Sequence, residues 1–240
     1  MCWSFIFIGF LSGLFKNVIY FSSIILIHEL GHFLIAKYYK WNVDKIYFYP
    51  YGGFTKFNDD LNKPKKEELL IMLTGPVVQI IFFYIMINFL STKEILLFSN
   101  YHYSVLFFNL LPIYPLDGGK LINIALNYFM SFRKSLKLTL YSSYLVIIVI
   151  ILLLLKKNIS ISLSIILVVL LVICKLTEEL KKERYYYNKF LLERYMNDYK
   201  FPKIKVIKAI NNMSRDYKHV ISRNNKTISE KEALSKYFRH

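Results

Sequence analysis

The sequence predicts an all-α polytopic membrane protein: about six transmembrane helices, a membrane-associated β-hairpin loop and a small cytosolic α+β tail. Three observations carry this. Of the 240 residues, 55% are hydrophobic and mean hydropathy is +0.35, an apolar excess that ordinary globular domains do not show. Six stretches approach or reach the roughly 20 apolar residues a helix needs to cross a bilayer. The 32 Lys and Arg residues, against 16 Asp and Glu, collect between these stretches and in the tail, as in a membrane protein with basic cytosolic loops.

The first stretch, about Trp3–Phe15, lies in "MCWSFIFIGFLSGLF". It has neither a basic start nor a small-residue cleavage site, so it reads as a retained span. The second runs from Val18 to Tyr39. The loop after it carries Lys40, Lys45, Lys56, Lys63, Lys65 and Lys66. Within that loop, "YFYPYGGFTKF" sets aromatic and β-branched residues around Gly52 and Gly53, the pattern of a hairpin. Such a hairpin can add an edge to an extended peptide or anchor an interfacial loop through its aromatic residues. Hydrolysis needs extended backbone, which favours the edge.

The third stretch is Leu69–Leu90 and the fourth Ile95–Ile122. The fourth contains Pro112 and Pro115, so it kinks or unwinds there. Unwound backbone at membrane depth is tolerated only against protein or a wet cavity, which points to a site near these prolines. Arg133, Lys134 and Lys137 precede the fifth stretch, Leu136–Leu155, and the sixth is Ile159–Ile173. The opposite loops hold only Lys16, Lys93, Lys156 and Lys157. The excess of positive charge therefore places both termini in the cytosol.

These elements divide the chain into a membrane domain at 1–175, a basic aromatic interfacial helix at 176–200 and a small tail at 201–240. Residues 176–240 hold 16 Lys and Arg and 8 Asp and Glu, so +8 of the net +16 lies there. No nucleic-acid-reading motif accompanies that charge, so nucleic acid is not an expected partner. Cys2 and Cys174 give no disulfide framework.

The chemistry is concentrated in "HELGH", His28 to His32, inside the second stretch. On a helix, residues i and i+4 lie about 40° apart, so both imidazoles can ligate one zinc ion. Glu29, one position on, can reach a water at the metal without binding the ion, as a general base does. Such a pentapeptide also arises by chance in soluble proteins. In a membrane helix, however, each ionisable residue costs about 2.5 kcal/mol or more unless compensated, and three in five positions at metal spacing are not a packing pattern. A catalytic zinc site usually takes a third protein ligand. Asp117, in "NLLPIYPLDGGK", stands at compatible depth beside the proline break. "DGG" is also a common turn string, and only its pairing with HELGH favours the ligand. His102, at the outer end of the fourth stretch, reads as too far out to join. His219 and His240 fall in the tail.

Together, HELGH and the later Asn109, Pro112, Pro115, Leu116, Asp117 and Gly118 resemble the motifs of the site-2 proteases, intramembrane zinc metallopeptidases. The resemblance implies one zinc per chain on His28, His32 and Asp117, Glu29 as catalytic base, and Asn109, Pro112 and Pro115 bordering the substrate. The family's third span often carries Gly-Pro followed by a nearby Asn; here Gly75-Pro76 is followed by Gln79. Six spans, no PDZ domain and a short basic tail containing "FLLERY" resemble the sporulation branch. Its members remove the pro-sequence of a membrane-associated sigma factor precursor and are held inactive by membrane partner proteins. That branch carries a CBS-like tail coupled to ATP. The present tail is short for a full CBS module, so ATP is not assigned to it. Self-association is compatible with so small a tail.

Two other functions fit parts of the pattern. A metal transporter would need polar residues along a whole crossing route, and above His28 the second stretch offers only Ser22 and Ser23. A zinc peptidase of another class would take a glutamate from a later helix as third ligand, and the later spans contain no buried candidate.

Overall fold

Apolar runs become helices whose outward faces stay apolar. The computed structural model describes residues 15–49, 52–57, 61–156, 163–201, 203–223 and 226–239. The expected first span lies outside these residues except for Phe15, as do Cys2, His240 and the opening of the sixth span. The elements are α1 (Phe15–Tyr38), β1 (Val43–Tyr49), β2 (Gly52–Phe57), α2 (Lys65–Met86), α3 (Thr92–Leu110), α4 (Asp117–Phe129), α5 (Phe132–Lys156), α6 (Leu163–Lys181), α7 (Glu183–Met196), β3 (Lys203–Ile207), β4 (Tyr217–Arg223), β5 (Lys226–Ser229) and α8 (Glu230–Phe238).

Among the described residues, α1, α2 and α5 are long and apolar enough to cross a membrane. The α3 run is interrupted by Asn100, His102 and Asn109, and α6 carries Lys175, Glu178 and Glu179. The lipid signature is clearest on α5. Leu138, Tyr141, Leu145, Ile148, Leu152 and Leu155 are exposed along one helical stripe, while Ser135, Thr139 and Ser143 are buried. A helix on a soluble protein does the reverse. The buried hydroxyls all find partners: Asn123 donates to Ser135 at 3.2 Å and Thr139 at 3.1 Å, and the Tyr114 N–H donates to Ser143 at 2.9 Å.

One compact unit spans residues 1–59 and 69–111. Its core joins Ile24 and Ile25 of α1 to Phe83 of α2 and to Phe98 and Val105 of α3. Tyr20 meets Phe98 edge-on. Glu94 fixes the start of α3, accepting from the Ser91 N–H at 3.2 Å and from Lys16 at 2.7 Å. The hairpin forms as expected, antiparallel and against α1. Gly52 and Gly53 stand in its ladder, opposite Tyr49 and Phe48.

The second unit spans residues 60–68 and 112–240. The fourth apolar stretch breaks where its prolines stand: α3 ends at Leu110 and helix resumes only at Asp117. The tail is a three-stranded sheet in the order β3-β4-β5, with β3 parallel and β5 antiparallel to β4. Its core contains Tyr187, Phe190 and Leu191 of α7, Ile207, Met213, Ile221, Ala233 and Leu234, and also Phe132, the first residue of α5. The apolar face of the aromatic helix is thus the centre of this core. Arg194 is fully buried there. It donates to Asn62 Oδ1 at 2.6 Å, to the Ser214 and Tyr217 carbonyls at 2.9 Å and to Glu230 Oε1 at 3.0 Å. Arg215 holds Glu68 and the Lys63 carbonyl. The basic tail therefore grips the segment that leads into α2.

This network is expected to fail in acid. Burial holds the His219 imidazole below its ordinary 6.5. Burial alone would raise Glu230, but hydrogen bonds from His219 and the charge of Arg194 outweigh it and hold the carboxyl below 4.5. In both cases the unfolded chain binds the proton more readily, so stability falls as pH drops, first below about 6.5 and again as Glu230 protonates. Amide hydrogen exchange in α7 and β4 of the intact protein should accelerate between pH 7 and pH 4. Exchange protection unchanged across that range would show that the network does not set the tail's stability.

Candidate metal centre

His28, Glu29 and His32 fall on the buried side of α1, at 1%, 4% and 3% exposure. The neighbouring helix is close because two glycines let it be. A Cβ on Gly31 would meet the Thr74 carbonyl oxygen at 2.8 Å, and a Cβ on Gly75 would overlap the His32 imidazole. Gly75→Ala is therefore expected to displace that ring and lower zinc content well below that of the wild type. Metal analysis of the purified variant checks this, and full zinc occupancy would show that the ring has another place to go.

Hydrogen bonds fix the tautomers. His28 Nδ1 lies 2.8 Å from Gln79 Oε1, and His32 Nδ1 lies 2.7 Å from the Ile71 carbonyl. Carbonyl oxygens only accept, so each Nδ1 carries a hydrogen, and in the neutral ring Nε2 then presents a lone pair. These Nε2 atoms are 3.2 Å apart. With both rings neutral, two lone pairs at that separation would repel, and a shared cation would relieve the repulsion. Asn109, in the last turn of α3, is buried with Nδ2 3.4 Å from His28 Nε2.

Asp117 is the first residue of α4. The turn before it is tight: Leu116 N–H donates to the Ile113 carbonyl at 2.9 Å, and a Cβ on Gly119 would overlap the Ile113–Tyr114 backbone. Pro115 is buried and Pro112 half-buried in this turn, and the Tyr114–Pro115 bond is cis. The Asp117 carboxylate is buried, with Lys120 Nζ 3.6 Å from Oδ1. Ligand atoms of His28, His32 and Asp117 all lie within 4.8 Å of one another. Two imidazoles and one carboxylate are a zinc donor set. Gly52 and Gly53 belong to the hairpin and not to this group.

His102 lies outside the metal-binding group, which among the described residues is His28, His32 and Asp117. His102 is buried and one amide away from His28: Gln79 Nε2 donates to its carbonyl at 3.0 Å. Gln79 is itself fully buried, with Oε1 on His28 Nδ1. In the sequence, Gln79 was marked by its place after Gly75-Pro76, and His102 only as a polar side chain in an apolar run.

Comparison with known proteins agrees with this geometry. Residues 16–104 match peptidase family M50. The chain is 31% identical over 193 residues to stage IV sporulation protein FB of Bacillus subtilis, covering 78% of this chain and 67% of that protein. It is 32% identical over 132 residues to a zinc metalloprotease of Methanocaldococcus jannaschii, covering 50% of this chain and 37% of that one. Among solved structures, the site-2 protease from M. jannaschii aligns with a TM-score of 0.55 at 28% identity, covering 69% of this chain and 78% of the other.

Proposed function

This chain belongs to peptidase family M50, the site-2 proteases, and on that premise we propose that it removes the pro-sequence of a membrane-associated sporulation sigma factor precursor. It is an intramembrane zinc metalloprotease. The observation that carries the reading is the pair of Nε2 lone pairs converging beside a buried carboxylate. The long match to a sporulation protein supports the substrate class.

His28, His32 and Asp117 would hold the zinc, which when bound supplies a Lewis acid that polarises the scissile carbonyl. Glu29 takes a proton from the attacking water and returns it to the departing amine. Asn109 borders the substrate and has an N–H to offer its carbonyl oxygen. Pro112 and Pro115 keep the segment between α3 and α4 from closing into a helix, so its backbone can pair with unwound substrate. The hairpin, with Gly52 and Gly53 in its ladder, offers an edge for the extended peptide.

The accompanying topology is six spans with both termini cytosolic. The domains are the protease at 1–175, a linker helix at 176–200 and a CBS-like tail at 201–240. Inhibitory membrane proteins and further copies of the chain are the partners this function calls for. Co-expression with candidate sigma precursors tests it: the wild type should yield a shortened product with a new N-terminus. Failure to shorten any such precursor would remove the sporulation substrate.

A further inference from the structure

We propose that Gln79 is a positioning residue for the zinc ligand His28, its amide polarity set by the main-chain carbonyl of His102. The inference rests on the metalloprotease reading and adds a determinant of metal affinity that lies outside the ligand set.

The assignment runs one way along the chain of contacts. The His102 carbonyl can only accept, and Gln79 Nε2 lies 3.0 Å from it. The –NH₂ end of the amide therefore faces His102, and Oε1 faces His28 Nδ1 at 2.8 Å. An amide oxygen also only accepts, so Nδ1 holds the hydrogen and Nε2 is left to the metal. Were the amide reversed, two oxygens would face each other at 3.0 Å and an –NH₂ would meet Nδ1. His28 would then carry its hydrogen on Nε2 and could not bind. The His102 ring stacks on Phe83 with centroids 4.2 Å apart, which holds the α3 turn bearing that carbonyl against α2. Gln79 and His102 are 0% and 2% exposed, so water does not substitute for either contact. Outer partners of ligating histidines fix ring orientation, and their loss costs about 10–100-fold in metal affinity.

The two contacts make distinct demands on the side chain. Gln79→Leu removes both. Gln79→Asn keeps the amide but falls one methylene short of spanning the two. Gln79→Glu keeps the acceptor for His28 and loses the donor for His102. Zinc dissociation constants of the full-length proteins in detergent, measured against a competing chelator, should rise about 10–100-fold for all three. The absorption bands of the cobalt-substituted proteins should change shape as the His28 ring turns. Thermal unfolding of the zinc-free proteins is measured alongside. Unaltered zinc affinity and cobalt spectra in the folded variants overturn the proposal, and so does a loss confined to zinc-free stability. If Gln79→Leu does not fold, Gln79→Asn and Gln79→Glu decide on the same criteria. A wild type that binds no zinc would sink the metalloprotease reading itself, a different result from wild type and variants binding it equally.

Discussion

Glu29→Gln is expected to cut proteolysis by about 10²- to 10⁴-fold, the usual range for a positioned general base, and to leave zinc content unchanged. The amide has the size and shape of the carboxylate, so the 4% exposed position on α1 stays filled. What it loses is the capacity to take a proton from water. Glu29 is one residue from His28, about 100° around the helix, and the metal-binding group formed by His28, His32 and Asp117 does not include it. A ligand role would show differently: zinc would leave with activity. Measuring product by mass spectrometry and metal content on the same preparation separates the two. Processing at the wild-type rate would remove Glu29 from the chemistry, whereas loss of both zinc and activity would move it into the ligand set.

Much of this site was legible in the sequence because it is written at helical spacing. HELGH needs only the period of one helix to put two imidazoles on one side. The break between α3 and α4 follows from two prolines that cannot donate hydrogen bonds. Asp117 was harder, since it lies 85 positions after His32, and its motif also reads as a turn. Gln79 was marked by its place after Gly75-Pro76, but the roles of Gln79 and His102 toward each other were not legible. Their meaning is a tertiary contact between α2, α3 and α1, and no local period records which amide faces which carbonyl. Depth along a span left His102 out of the ligand group, as the structure does, but gave no sign that its backbone carbonyl meets Gln79. The tail's sheet was foreseen only as α+β. That α7 and Phe132 would share one core with it could not be read from residues separated by 58 positions.

Asp117→Ala is expected to weaken zinc binding by more than the roughly 10–100-fold that loss of an outer partner costs, and to abolish cleavage. The competing account makes Asp117 a turn residue at the head of α4, and magnitudes decide between them. A carboxylate in the first turn of a helix gains about 0.3–1 kcal/mol from the helix dipole. Leu116, not Asp117, occupies the cap position, and no side chain caps this helix. Burying a carboxylate costs several kcal/mol before compensation. Lys120 at 3.6 Å offsets part of that. A divalent cation shared with His28 and His32 offsets far more, since the interaction scales with its double charge. Asp117→Asn makes the comparison sharper. It preserves size and a turn-compatible side chain but removes the charge. If Asp117 served the turn, the Asn variant would bind zinc and cleave as the wild type does. If it serves the metal, both variants lose zinc while keeping helix content by circular dichroism. Wild-type zinc stoichiometry and affinity in both variants would leave the two histidines to find their third ligand elsewhere.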